Sequence, residues 1–131
     1  MTCLLVATGK RFDVDAFLEH TSLPISKQFR MGERINPVST RVSPYSGVTI
    51  TVSEAPFENL QDQIQDAIVF IESHRSEICR LVSWPGVEEV RLDFAVGWEE
   101  DHAHFYYYPV DFIKLLADLG LSLELSRYPS Q

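Results

Sequence analysis

Residues 88–98, Glu88-Glu89-Val90-Arg91-Leu92-Asp93-Phe94-Ala95-Val96-Gly97-Trp98, decide the fold of this chain. Val90, Leu92, Phe94, Val96 and Trp98 alternate with Glu89, Arg91, Asp93, Ala95 and Gly97. That period of two sends successive side chains to opposite faces of a strand. A slip of one residue would carry every apolar group to the wrong side, so the register is strongly specified. A strand that is greasy on one side needs a cover, and the flanking segments supply one.

Upstream, Leu60, Ile64, Ala67, Ile68, Ile71, Ile78 and Leu81 recur at three- and four-residue steps, with Glu58, Gln61, Asp62, Gln65, Asp66, Glu72 and Ser73 on the outer side. This is the stripe of a long amphipathic helix. Pro56 is read as its first residue, where a missing amide hydrogen costs nothing. A bend is expected near Ser73 and His74, and Trp84-Pro85-Gly86 ends the helix. Before it, Val48, Ile50 and Val52 alternate with Thr49, Thr51 and Ser53 as a half-buried strand. Residues 2–8 are apolar on both alternating faces and stop at Gly9, the pattern of a central strand. Asp13 or Asp15 then caps a short helix to about His20, with Val14, Phe17 and Leu18 inward. Prolines and glycines punctuate residues 21–46, which are expected to be irregular or an edge, with only Gln28–Ile35 suited to a short strand.

Downstream, Glu99-Glu100-Asp101 form an acidic turn, and residues 102–108 read as an extended segment returning in a hairpin, Ala103, Phe105 and Tyr107 opposite His102, His104, Tyr106 and Tyr108. Pro109 opens a helix containing Val110, Ile113, Leu116 and Ala117, which Gly120 stops; Leu121, Leu123 and Leu125 mark a last strand. The expected fold class is therefore α+β, one domain over residues 1–131: a two-layer sandwich of a mixed or antiparallel sheet with helices on one face, a ferredoxin-like variant.

Charge narrows the partners. Eleven Lys and Arg against nineteen Asp and Glu leave a net charge of -8, which repels phosphate backbones, so no nucleic acid is expected. Residues 27–41 are locally basic, whereas in residues 88–111 seven carboxylates, Glu88, Glu89, Asp93, Glu99, Glu100, Asp101 and Asp111, face Arg91 alone. That end suits a basic protein surface. No window approaches the apolar length of a membrane span, no membrane partner is expected, and the first nine residues lack the basic stretch of a signal peptide, so a cytoplasmic location is expected. Cys3 and Cys79 lie in apolar surroundings without a CxxC or zinc spacing, and both are read as core thiols.

The alternation gathers Thr49, Thr51, Arg91, Asp93, His104, Tyr106, Ser122 and Glu124 on the uncovered sheet face, and Arg91, Asp93, His104, Tyr106 and Glu124 are the candidates for holding a small polar ligand. The plainer account of the same residues is a solvated polar face with cross-strand pairs such as Arg91 with Glu124. His102 and His104 with Glu99–Asp101 supply nitrogen and oxygen ligands within a short span, but no further spaced ligand accompanies them, and neither metal nor cofactor is assigned. GxSxG, HExxH and phosphate-cradling glycine loops are missing from the sequence, so no catalytic residue is assigned and an enzyme is disfavoured. Tyr106 and Tyr108 are expected either to be exposed beside the acidic turn, where with Glu99, Glu100 and Asp101 they are the candidates for binding a partner protein or a second copy, or to pack under a neighbouring loop.

The early strand followed by Asp13–Leu18, the Met31-Gly32-Glu33 step, and the ending from Pro109 through Leu115-Leu116, Leu119-Gly120, Leu123-Glu124 and Tyr128 together resemble a bacterial family known as domain of unknown function 4279. The resemblance spans nearly the whole chain. It implies a small α+β domain of bacterial origin without an established reaction, some relatives being immunity-like, and it carries over no catalytic residue. The leading expectation is thus a non-enzymatic interaction domain, immunity-like, whose acidic end engages a basic protein. The alternatives are a small-ligand or enzymatic site on the open sheet face and a homo-oligomeric structural domain.

Overall fold

The computed structural model describes residues 1–129. In chain order it contains β1 (Cys3–Gly9), α1 (Val14–Leu18), β2 (Lys27–Phe29), β3 (Ser46–Ser53), α2 (Leu60–Ser73), α3 (Arg75–Val82), β4 (Glu89–Trp98), α4 (Val110–Leu119) and β5 (Ser122–Pro129). The strands form one open mixed sheet in the order β2-β3-β1-β4-β5. β1 is antiparallel to both β3 and β4, while β4 and β5 run parallel. The fold is α+β, with four helices.

The alternation in β4 holds: Val90, Leu92, Phe94 and Val96 are buried, and they meet Leu5 and Ala7 of β1, Val48 and Ile50 of β3, and the inner residues of the helices in one core. Burying a side chain of this size contributes about 1.5–3 kcal/mol, so this shared cluster outweighs any surface contact described below. Strand β5 is the sheet edge, and Leu123, expected inside, is 39% exposed, while Leu121 is buried.

Several expectations are corrected. The ferredoxin-like pattern interposes a strand between two strands joined by a helix; here α4 joins β4 and β5, which are direct neighbours. Residues 102–108 form no strand. Both edges of β4 are already taken, one by β1 as far as Phe94 and then by the carbonyls of Thr2 and Phe57, the other by β5 from Arg91 to Trp98, which leaves a hairpin strand nowhere to pair. Pro56 does not begin α2. The Asn59 side chain accepts a hydrogen bond from the Asp62 amide and sets the start at Leu60. The long helix breaks into α2 and α3 at His74, whose amide donates to the carbonyls of Phe70 and Ile71. Gly120, at φ 77, closes α4 as expected, and β2 is shorter than Gln28–Ile35. Cys3 is buried, and burial pushes its thiol well up. Cys79 is exposed, because α3 turns Ile78 and Leu81 inward and Cys79 lies about 100° round the helix from Ile78.

Candidate aromatic cleft

Strand β4 outruns β1. Beyond Phe94 the side that β1 had paired is bordered first by Thr2, whose carbonyl accepts from the Ala95 amide, and then by Phe57, whose carbonyl accepts from the Gly97 amide at 3.4 Å. On its other side β5 continues to Pro129, opposite Trp98. Gly97 contributes no side chain, and the rings of its two neighbours, Phe57 and Tyr128, stand 6.1 Å apart at 53°. The chain then leaves β4 through the acidic turn and comes back irregularly, tied to the first turn of α2 by Gln61, which donates to the Tyr107 carbonyl at 3.0 Å.

These segments enclose an open cleft of about 810 Å³, walled by Phe57, Trp98, His104, Phe105, Tyr106 and Tyr128, with Glu58 and Glu99 at its sides. His104 and Tyr106 stack in parallel, ring centres 6.3 Å apart. Nε2 of His104 lies 3.0 Å from the Glu99 amide nitrogen and 2.6 Å from its carbonyl oxygen: deprotonated, it accepts from the amide, and protonated, it donates to the carbonyl. Either way it pins the acidic turn. His102 pairs with the Glu99 carboxylate at 3.0 Å. The guanidinium of Arg127 lies 5.1 Å over the Trp98 ring.

The aromatic run is turned inside out relative to the exposed alternative for Tyr106 and Tyr108. Phe105 is 89% and Tyr107 68% exposed, whereas Tyr106 and Tyr108 are half-buried against the core. Tyr108 packs edge-on to Phe94 at 5.3 Å and stacks with Phe112, and desolvation raises its phenol pKa. Phe94 and Phe112 offer the Tyr108 ring an apolar seat that the alternation of residues 102–108 does not encode. Among the described residues, the hydroxyls of Tyr106 and Tyr108 are buried and find no hydrogen-bond partner.

The ligand candidates divide between two places. Arg91, Asp93 and Glu124 sit on the open sheet face, but His104 and Tyr106 belong to the cleft. Arg91 bridges Glu89 and Glu124, 3.2 Å from each, the cross-strand pairing expected of a plain polar face. Asp93 accepts a hydrogen bond from Ser126 at 2.7 Å; desolvation raises its pKa, and the neighbouring Glu124 adds to the rise. Of the partner candidates, Glu99, Glu100 and Asp101 are exposed at the cleft end. The residues not assigned to a site from the sequence, Phe57, Trp98 and Tyr128, come from three separate segments; the sequence presents Trp98 only as the last apolar residue of the β4 alternation, and Phe105 only as part of the aromatic run. Among the described residues, no group of three or more potential metal-ligating side chains converges, and no helix is long and apolar enough to cross a membrane. Comparison with protein-family models, curated proteins and solved structures finds no match to this chain.

Proposed function

We propose that this chain is a non-enzymatic protein-interaction domain, immunity-like in the sense of the family it resembles, whose acidic end engages a basic partner protein. Its helices form a single layer over one sheet face, and the cleft end of β4 stays open. The observation that carries the reading is the exposure, at that one end, of Phe57, Phe105 and Tyr128 beside Glu99, Glu100 and Asp101. Isolated apolar residues on a surface need no explanation, but several large aromatics gathered beside one cleft mark a place where a partner is covered. Aromatic side chains supply most of the affinity of such contacts, while rim carboxylates steer the encounter. The open-face reading is weaker, since Arg91, the cation among its candidate residues, is already engaged by two carboxylates.

Co-purification from the native host tests the proposal. A partner retained at low salt is expected to be lost at high salt and lost again when Glu99, Glu100 and Asp101 are all changed to Lys. Retention indifferent to both changes refutes it.

A further inference from the structure

We infer that the cleft at the end of β4 is a recognition site for an arginine side chain presented by the partner's basic segment. This rests on the interaction reading above and names the chemistry of its central contact. Three observations lead to it. First, the walls are aromatic and accessible: Phe57 and Tyr128 are 46% and 52% exposed, and Phe105 stands almost wholly in solvent. Such faces attract a cation through the ring quadrupole, and arginine more often than lysine, because a planar, weakly hydrated guanidinium also stacks. Second, Glu58 and Glu99 flank the same volume, so a guanidinium lying on the rings meets carboxylates that can accept its forked donors, with Glu100 and Asp101 adjoining in sequence. Third, the protein already holds one guanidinium this way, Arg127 on Trp98 at the same end of the sheet. That contact occupies Trp98 and leaves Phe57, Phe105 and Tyr128 for the ligand.

The occupant follows from complementarity. An apolar peptide would leave the flanking carboxylates facing apolar groups, an acidic one would be repelled by a chain of net charge -8, and a phosphate would meet no Lys or Arg among the described residues that line the cleft. At about 810 Å³ the space exceeds one side chain and accommodates a short stretch of backbone with it.

The test uses the full chain and a short synthetic peptide alternating arginine with glycine, followed by NMR of the two tryptophan indole N–H signals. Trp98 lines the cleft, whereas Trp84 packs against Phe17 and His20 and serves as the internal control. The peptide is expected to shift the Trp98 signal saturably at low salt and leave that of Trp84 in place. Replacing arginine by lysine should weaken binding several-fold, and replacing it by the neutral isostere citrulline should abolish it. Phe57→Ala and Tyr128→Ala, both at exposed positions outside the core, should each weaken binding about tenfold. Glu58→Gln and Glu99→Gln, which keep side-chain size, should weaken it and flatten its salt dependence.

An unmoved Trp98 signal, equal binding of the arginine, lysine and citrulline peptides, or binding indifferent to Phe57→Ala and Tyr128→Ala overturns the site. If the native partner is nevertheless lost on charge reversal of Glu99, Glu100 and Asp101, the acidic-surface reading survives the loss of the cleft. If the peptide titrates as expected and the native partner ignores that reversal, the reading of the acidic surface falls and the arginine site stands.

Discussion

Replacing Gln63 by Glu exchanges one amide nitrogen for an oxygen at a position with no solvent exposure. The Gln63 Nε2 donates to the carbonyls of Ala95 on β4 at 2.9 Å and of Pro56 at 3.2 Å, thereby joining α2, the sheet and the segment that carries Phe57. A carboxylate there would aim negative charge at two carbonyl oxygens, so the variant must fold with its carboxyl protonated. Neutralising a glutamate of ordinary pKa ~4.3 at pH 7 costs about 3.7 kcal/mol, at ~1.4 kcal/mol per pH unit. The protonated carboxyl has a single O–H, so one of the two carbonyls also loses its donor, adding about 1 kcal/mol. A total of roughly 4–5 kcal/mol is a large share of the ~5–15 kcal/mol that holds a domain of this size together. The folded state of the variant binds a proton that its unfolded state gives up above pH ~4.3. The deficit should therefore shrink by about 1.4 kcal/mol for each unit the pH is lowered from 7 towards 5. Urea unfolding of both proteins across that range measures it, and the neutral variant Gln63→Met, which loses the same two donors, should show a smaller deficit that does not vary with pH. A Gln63→Glu deficit below about 1 kcal/mol, or one flat with pH, refutes the assignment of the amide and its burial.

Gly32 and Gly86 share φ 89, but a Cβ on Gly32 meets nothing, whereas one on Gly86 would collide with the carbonyl of Arg11. Gly32→Ala should thus cost only the left-handed backbone strain of about 1–2 kcal/mol, and Gly86→Ala should exceed it by more than 1 kcal/mol in denaturant unfolding. Asp93 has its pKa raised on folding, chiefly by desolvation, so its charge opposes stability at neutral pH, and that opposition fades as pH falls through the raised value. Asp93→Asn, which keeps the acceptor for Ser126, should stabilise by under about 1 kcal/mol at pH 7 after solvent screening, and thermal melts should show the advantage vanish at pH 3.

How far the sequence reaches depends on what each signal encodes. β3 and β4 were legible because alternation reports one buried face, β1 because a central strand is apolar on both faces, and the end of α4 because Gly120 takes a backbone angle that other residues resist. The hairpin over residues 102–108 was misread because alternation says nothing about which edge is free, and a parallel crossover through α4 had claimed it. Gln63 lies three residues after Leu60 and four before Ala67, hence on the inner stripe, but a polar side chain conceals that position from any hydrophobicity reading. The cleft depended on Phe57, Trp98 and Tyr128 meeting across three segments, which no local pattern expresses. Arg91 with Glu124 was visible because cross-strand neighbours follow from register once the strands are placed.

The two ends of β4 are built differently. At the Glu89 end, backbone lies directly on backbone: Gly9, Gly86 and Arg11 approach with no room for a side chain, and the Glu88 amide donates to Thr8 at 2.8 Å. At the Trp98 end, rings and a histidine-pinned turn bound open space. The strand is therefore walled in at its base, where any added side chain collides with backbone, while its tip borders space into which a larger side chain can grow without touching the interior.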